Sequence, residues 1–66
     1  MGLILNIETA TDICSVALAK DGEVLSLHES NEAKSHALIL TTLISKCFHD
    51  SSFQFSELDA VAVSKG

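Results

Sequence analysis

The dipeptide Asp21-Gly22 constrains the fold of this chain more than any other feature of its sequence. On both sides of it, apolar residues alternate with polar or small ones, as in strands that bury one face. Asp-Gly between two such segments favours a two-residue type I′ turn, because both central positions of that turn require a positive φ. The sequence therefore predicts a β-hairpin whose first strand covers residues 13–20.

A two-residue turn also predicts which residues of the two strands face each other. The pairs that follow from it are Lys20 with Glu23, Leu18 with Leu25, and Val16 with Leu27. The leucines and the valine then lie on one face of the hairpin, so the turn and the apolar pattern predict the same register.

Three further elements are predicted around the hairpin. Residues 3–7 are almost continuously apolar, as in a central strand covered on both faces. Residues 36 to 48 or 49 form an amphipathic helix, for which Ser35 is a suitable N-cap. Its core stripe consists of Ala37, Leu40, Leu43, Ile44 and Cys47. Residues 58–63 form a second buried strand, and a helix between two strands favours a parallel crossover. The fold class is therefore α/β, in the order β-β-β-α-β with a mixed sheet.

Length and charge restrict what such a unit does. The chain has 66 residues, which allow one small domain at most. Its predicted last strand has no following helix, so residues 1–66 are expected to be the N-terminal part of a larger domain. The apolar runs are far too short for a membrane span, which takes about 20 residues. A net charge of −5, with four lysines and no arginine, disfavours direct contact with phosphate backbones.

The polar residues that follow the first strand form a candidate phosphate loop. Its members would be Glu8, Thr9, Thr11 and Asp12. Hydroxyls and backbone amides of such a loop can face an anion, although Ala10 stands where phosphate loops usually carry glycine. The alternative is that these side chains satisfy backbone groups of the turn.

Neither histidine nor cysteine spacing indicates a catalytic or metal site. A helical metal pair needs histidines at i and i+4, and Leu40 follows His36 at that distance. Cys14 lies on a predicted strand and Cys47 on the helix core stripe, so both are predicted to be buried thiols. We expect no catalytic residue and no metal ligand in the chain.

The outward face of the helix is a candidate partner interface. It carries Leu38 among uncharged hydroxyl residues, whereas a helix that only covers a sheet usually carries charges there. The predicted contact residues are Leu38, Thr41, Thr42 and Ser45, with Ile39 at the flank. The alternative is a solvated face with one tolerated exposed leucine.

Taken together, four segments resemble the bacterial TsaB (YeaZ) family, in order and with its usual spacing. They are Leu3-Ile4-Leu5-Asn6-Ile7-Glu8-Thr9-Ala10-Thr11, Cys14-Ser15-Val16-Ala17-Leu18, Ser35-His36-Ala37-Leu38 and Leu58-Asp59-Ala60-Val61-Ala62-Val63-Ser64-Lys65-Gly66. The resemblance implies the start of an actin-like ATPase (ribonuclease H-like) domain.

The resemblance also implies a function and partners. TsaB proteins are non-catalytic subunits in the synthesis of threonylcarbamoyladenosine, the modified adenosine beside the anticodon of certain tRNAs. They bind the transferase TsaD, which is joined by the ATPase TsaE, and they form homodimers in isolation. The resemblance implies a cytoplasmic protein that serves tRNA only indirectly, with no cofactor in this segment and ATP or ADP left open for the complex. The alternatives are a nucleotide-binding ATPase or phosphotransfer enzyme, or a glycoprotease-like metallopeptidase, as older family names suggest.

Overall fold

The computed structural model describes residues 2–9, 13–31 and 36–65, and for residues 36, 37 and 65 it describes the backbone alone. The elements are β1 (Leu3–Thr9), β2 (Cys14–Lys20), β3 (Glu23–Ser30), α1 (His36–Ser51), a 3-10 turn (Phe55–Glu57) and β4 (Ala60–Lys65). The predicted order β-β-β-α-β is confirmed. Within the described ranges, no helix has both the length and the apolar composition that a bilayer crossing requires.

The four strands form one mixed sheet in the order β3-β2-β1-β4. β1 and β2 are antiparallel, as are β2 and β3, and each pair is joined by a short connection. β4 lies parallel to β1 on its other side, from Ile4 beside Ala60 to Thr9 beside Lys65. The chain reaches β4 through α1, so the predicted parallel crossover is confirmed.

The turn between β2 and β3 has the predicted conformation. Asp21 has a φ of 52° and Gly22 a φ of 84°, so both central residues are left-handed, as a type I′ turn requires. Lys20 pairs with Glu23 across this turn, as the sequence predicts.

Beyond that first pair, the predicted hairpin register is wrong. A β-bulge on β3 shifts the pairing between Leu18 and Ala19, so that Leu18 faces Ser26 rather than Leu25. Farther along, Val16 faces His28, and Leu27 lies opposite Ala17 with 59% of its surface exposed. Side chains alternate between the two faces of a strand. The one extra residue in β3 therefore moves Leu27 to the face of the sheet opposite the one predicted.

Contacts with α1 account for the shifted register. The Ser26 hydroxyl donates a hydrogen bond to the Cys47 carbonyl oxygen at 3.1 Å, and His28 contacts Asp50 at the last turn of the helix. Polar side chains of β3 therefore face the helix, where they find hydrogen-bond partners. Such partners lie on another element and cannot be read from strand alternation.

The core lies between α1 and one face of the sheet. Its buried residues are Leu3, Leu5, Cys14, Val16, Leu18, Leu43 and Cys47. The Cys47 thiol, fully buried, donates to the Val16 carbonyl oxygen at 3.3 Å. Both cysteines are free and buried, as predicted. Burial of Leu43 and Cys47 confirms two positions of the predicted helix stripe, and Leu40 and Ile44 pack against the same core. The side chain of Ala37, the remaining member of that stripe, lies outside the described part of the chain.

The helix and the last strand differ from their predictions in extent, and the last strand also in burial. The helix continues to Ser51 rather than ending at 48 or 49, and Ser52, with a φ of 65°, closes it by donating to the Phe48 carbonyl oxygen at 3.1 Å. The strand predicted at 58–63 runs from 60 to 65, and its described side chains are exposed rather than buried. The reason is that α1 packs on β2 and β3, away from β4.

Candidate functional site

Two surfaces carry the residues that the sequence predicts as functional. The first lies where the parallel strands β1 and β4 reach their carboxyl ends. β1 is longer than predicted, so Glu8 and Thr9 lie within the strand rather than in a loop. It is also covered on one face only, since Ile4 and Asn6 are exposed. We refer to this region as the strand-end surface: Asn6, Glu8, Ser15 and Ser64.

Sheet register brings these polar residues together. Glu8 pairs with Ser15 of β2 on one side and with Ser64 of β4 on the other, so the three side chains share a face. Asn6 lies two residues earlier on β1 and therefore on the same face. The four residues line a shallow cavity of about 300 Å³ on the side of the sheet that α1 leaves open.

This placement fits a general rule for ligand sites in α/β proteins, in which ligands bind beyond the carboxyl ends of parallel strands. The carboxylate of Glu8 is exposed and can accept hydrogen bonds, and the Ser15 and Ser64 hydroxyls can donate or accept them. A polar ligand that offers donors would suit these groups better than a bare anion, which the carboxylate would repel.

Other residues of the predicted phosphate loop are less well placed or lie outside the described ranges. Thr9 is half-buried and pairs with Cys14 at the end of β1, on the opposite face from Glu8. Thr11 and Asp12 lie outside the described residues, as does the predicted N-cap Ser35. The assignment of this loop to phosphate binding therefore stays a prediction.

The second surface is the outward face of α1, which we call the helix face: Leu38, Thr41, Thr42 and Ser45. All four residues are exposed, and Leu38 exposes 69% of its surface. The Thr42 hydroxyl donates to the Leu38 carbonyl oxygen at 3.2 Å, so its hydrogen-bonding capacity is used in part within the helix. Ile39 is half-buried and packs against the core, so it lies at the edge of the helix face.

A groove runs along one side of the helix face. Its volume is about 340 Å³, and its walls are α1 and the end of β3. Leu38, Ile39, Thr42 and Lys46 contribute from the helix, and Glu29 contributes from the strand. The groove is thus lined by both apolar and polar side chains, with one acidic and one basic residue among them.

Three neighbours of these surfaces could not be found by sequence reasoning. Glu29 follows from the hairpin only once its bulge is known, because the predicted register places it on the other face of β3. The alignment of Ser15 with Glu8 follows from the antiparallel register between β1 and β2. Ser64 follows from the parallel register between β1 and β4, which depends on residues far apart in sequence.

Histidine and acidic side chains do not gather into a metal site within 2–9, 13–31 and 36–65, where no three metal-binding side chains come together. His28 is engaged with Asp50, with 2.6 Å between Nε2 and Oδ2. A carboxylate only accepts, so the ring nitrogen donates.

Comparison with known proteins gives consistent results for sequence and for structure. No family model matches the chain. Two tRNA threonylcarbamoyladenosine biosynthesis proteins TsaB are similar to it over 64 residues, or 97% of the chain. The protein from Buchnera aphidicola subsp. Acyrthosiphon pisum is 36% identical, and that from Buchnera aphidicola subsp. Schizaphis graminum is 38% identical.

Among solved structures, YeaZ from Pseudomonas aeruginosa matches the whole chain with a TM-score of 0.86 and 29% identity. The likeness confirms the α/β fold class predicted from the sequence. The chain spans 28% and 30% of the length of the two curated relatives, and 30% of the Pseudomonas structure.

Proposed function

This chain belongs, over the segment it covers, to the TsaB/YeaZ family, and from that premise we propose that it serves tRNA threonylcarbamoyladenosine biosynthesis as a non-catalytic subunit. In this role the protein binds and supports the transferase TsaD in the cytoplasm, and the ATPase TsaE joins their complex. The support for the pathway is that both curated relatives are TsaB proteins of this biosynthesis.

The observation that carries the proposed binding role is the exposure of the helix face. Leu38 is 69% exposed on a helix whose neighbouring outward residues are uncharged hydroxyls. An exposed aliphatic side chain with few charges around it suits contact with another helix, because its burial releases water from apolar surface. Ile39 and the groove beside it extend the surface toward β3.

The net charge supports an indirect relation to tRNA. With four lysines, no arginine and a charge of −5, the chain offers few groups to neutralise phosphates. In the proposed role, TsaD and not this segment provides most of the contact with tRNA.

Co-purification with TsaD tests the proposal. We expect Leu38→Asp to reduce the recovered TsaD strongly, because the substitution places a charge where an apolar contact is proposed. Val24→Asp is the matched control, since Val24 is 60% exposed and lies on β3 near the hairpin turn. Circular dichroism on each variant separates a weakened interface from an unfolded chain.

Two results would contradict the proposal at different levels. If Leu38→Asp and the unchanged protein recover TsaD equally, the helix face is not the contact surface. If the unchanged protein, in its full length, recovers no TsaD at all, the partner role itself is wrong.

The same face is also proposed to pair two copies of the protein when TsaD is absent. Sedimentation at several protein concentrations tests this, and Leu38→Asp is expected to shift the protein toward monomer. A dimer that persists unchanged in this variant would place the contact between copies elsewhere.

A nucleotide-binding role is the second candidate, and the position of the strand-end surface favours it, provided that magnesium screens the phosphates from the Glu8 carboxylate. Glu8 and Ser64 lie side by side at the carboxyl ends of β1 and β4, where ligands usually bind in open α/β sheets. Calorimetry with ATP and magnesium tests it, with Glu8→Gln as the variant and Glu29→Gln as the matched control. Heat of binding that is absent, or unaffected by Glu8→Gln, would exclude this surface as a nucleotide site.

A further inference from the structure

The start of β1 and the residue just before β4 are joined by two hydrogen bonds. The backbone N–H of Asp59 donates to the Leu3 carbonyl oxygen at 2.8 Å. In return, the Leu3 N–H donates to the carboxylate Oδ2 of Asp59 at 2.7 Å. The second bond ends on a charged acceptor, and bonds of that kind are roughly twice as strong as neutral ones.

Gly2 leaves the space that this carboxylate occupies. A Cβ atom at position 2 would lie 2.6 Å from Oδ2 and 2.9 Å from Cγ of Asp59, closer than non-bonded atoms approach. The Gly2 carbonyl oxygen also accepts a bond from the Asp21 N–H at 3.2 Å, which ties the hairpin turn to the same point. Any side chain at position 2 therefore displaces the carboxylate and weakens its bond to Leu3.

The rest of the parallel ladder specifies its register weakly. β4 reads Ala-Val-Ala-Val over residues 60–63, and these side chains are exposed. A slip of two residues would keep the alternation of alanine and valine, so the apolar pattern does not oppose it. A slip of one or two residues would nevertheless move Ser64 away from Glu8. Something other than burial must fix the alignment.

We propose that Asp59 is a positioning residue that fixes the register of β4 against β1, and that Gly2 is needed to admit its carboxylate. The Leu3–Asp59 contact comes immediately before the pair Ile4–Ala60, so it aligns the whole ladder up to Glu8 beside Ser64. The contact at the start of the two strands thus determines which residues align in the strand-end surface at their carboxyl ends. The inference does not depend on the proposed function.

A double-mutant cycle on the chain tests the coupling between the two residues. We expect Gly2→Ala to lower the Tm by roughly 4–8 °C, the shift that loss of one such hydrogen bond causes in a domain of this size. With Asp59→Ala already present, Gly2→Ala is expected to have a much smaller effect, because Oδ2 and Cγ are gone and only the Cβ of residue 59, at 3.0 Å, remains close. Purely additive shifts in the double variant would overturn the proposal.

Register itself is measured by NMR, through nuclear Overhauser effects between the backbone protons of Glu8 and Ser64. We expect Asp59→Ala to weaken or abolish these signals, and Asp59→Asn to restore them, because the amide oxygen can still accept from Leu3. Glu29→Gln is the matched control, since it removes one charge from an exposed strand position without touching this contact.

Rescue by asparagine distinguishes positioning from a general loss of stability. If Asp59→Ala does not fold, Asp59→Asn decides alone: a folded chain with the Glu8–Ser64 signals supports the proposal. A folded Asp59→Asn variant without those signals would overturn it, as would an Asp59→Ala variant in which they are unchanged.

Discussion

The side chains of His28 and Asp50 join β3 to the last turn of α1, with Nε2 and Oδ2 separated by 2.6 Å. His28 lies on the helix-facing side of β3 only because a bulge precedes it, between the pairs Ala19–Val24 and Leu18–Ser26. The contact therefore links the position of the helix to the register of the hairpin.

Loss of either partner in this pair is expected to destabilise the chain modestly. The two side chains are 29% and 48% exposed, and partly exposed pairs of this kind contribute about 0.2–1 kcal/mol. We expect His28→Ala and Asp50→Ala each to lower the free energy of unfolding by an amount in that range. The double variant should lose less than the sum, because each single change already breaks the contact.

Urea unfolding of the four proteins measures this coupling, and His49→Ala is the matched control. His49 is an exposed histidine next to Asp50, and its removal should change stability by less than about 0.5 kcal/mol. Strict additivity of the two single changes would show that the contact contributes nothing in solution.

The hairpin turn provides a second prediction, at Gly22. A Cβ atom added there would meet nothing within 4 Å, so any cost of a side chain is conformational rather than steric. At its φ of 84°, we expect Gly22→Ala to cost about 1–2 kcal/mol, and Gly22→Asn clearly less, because asparagine tolerates left-handed conformations. Thermal unfolding of both variants checks the order, and equal costs for alanine and asparagine would contradict it.

The third prediction compares two leucines of the same helix. Leu43 is 5% exposed and Leu38 is 69% exposed. Leu43→Ala should cost about 2–5 kcal/mol, which is most of the stability that a single small core of this size supplies. Leu38→Ala should change the free energy of unfolding by less than about 0.5 kcal/mol. Urea unfolding of both variants makes the comparison, and a large loss from Leu38→Ala would place that side chain in the core.

Local chemistry accounts for the parts of the fold that the sequence predicts correctly. The Asp21-Gly22 turn depends on the φ preferences of two adjacent residues, and the helix stripe depends on a spacing of three and four. Exposure of Leu38 follows from the same spacing. Each of these can be read from a short window of the chain, without knowledge of what packs against it.

Contacts between residues far apart in the sequence determine the strand registers that could not be predicted. The bulge in β3 brings Ser26 to the Cys47 carbonyl oxygen, and the β1–β4 register begins with Asp59 at Leu3. Both are hydrogen bonds across more than twenty residues of sequence, and neither leaves a periodic pattern. The strand-end surface depends on the second of these registers, which brings Ser64 beside Glu8, so its residues could be predicted only in part.

The last prediction concerns Leu25, which has no partner in the pairing of β2 with β3. Its deletion should leave the pairs Ala19–Val24 and Leu18–Ser26 in place and make the ladder continuous, at a cost of less than about 1 kcal/mol, because no residue of β2 loses its partner.

Deletion of Leu27 is the contrasting control, because it moves His28 to the opposite face and brings Glu29 toward the helix. An unpaired polar group on that face costs roughly 1–3 kcal/mol in addition to the loss of the bond to Asp50. Urea unfolding, with NMR signals between the His28 ring and α1, separates the two deletions. If deletion of Leu25 instead disrupts the fold as severely as deletion of Leu27, the bulge is required by the sheet itself, and the contacts of Ser26 and His28 do not determine the register.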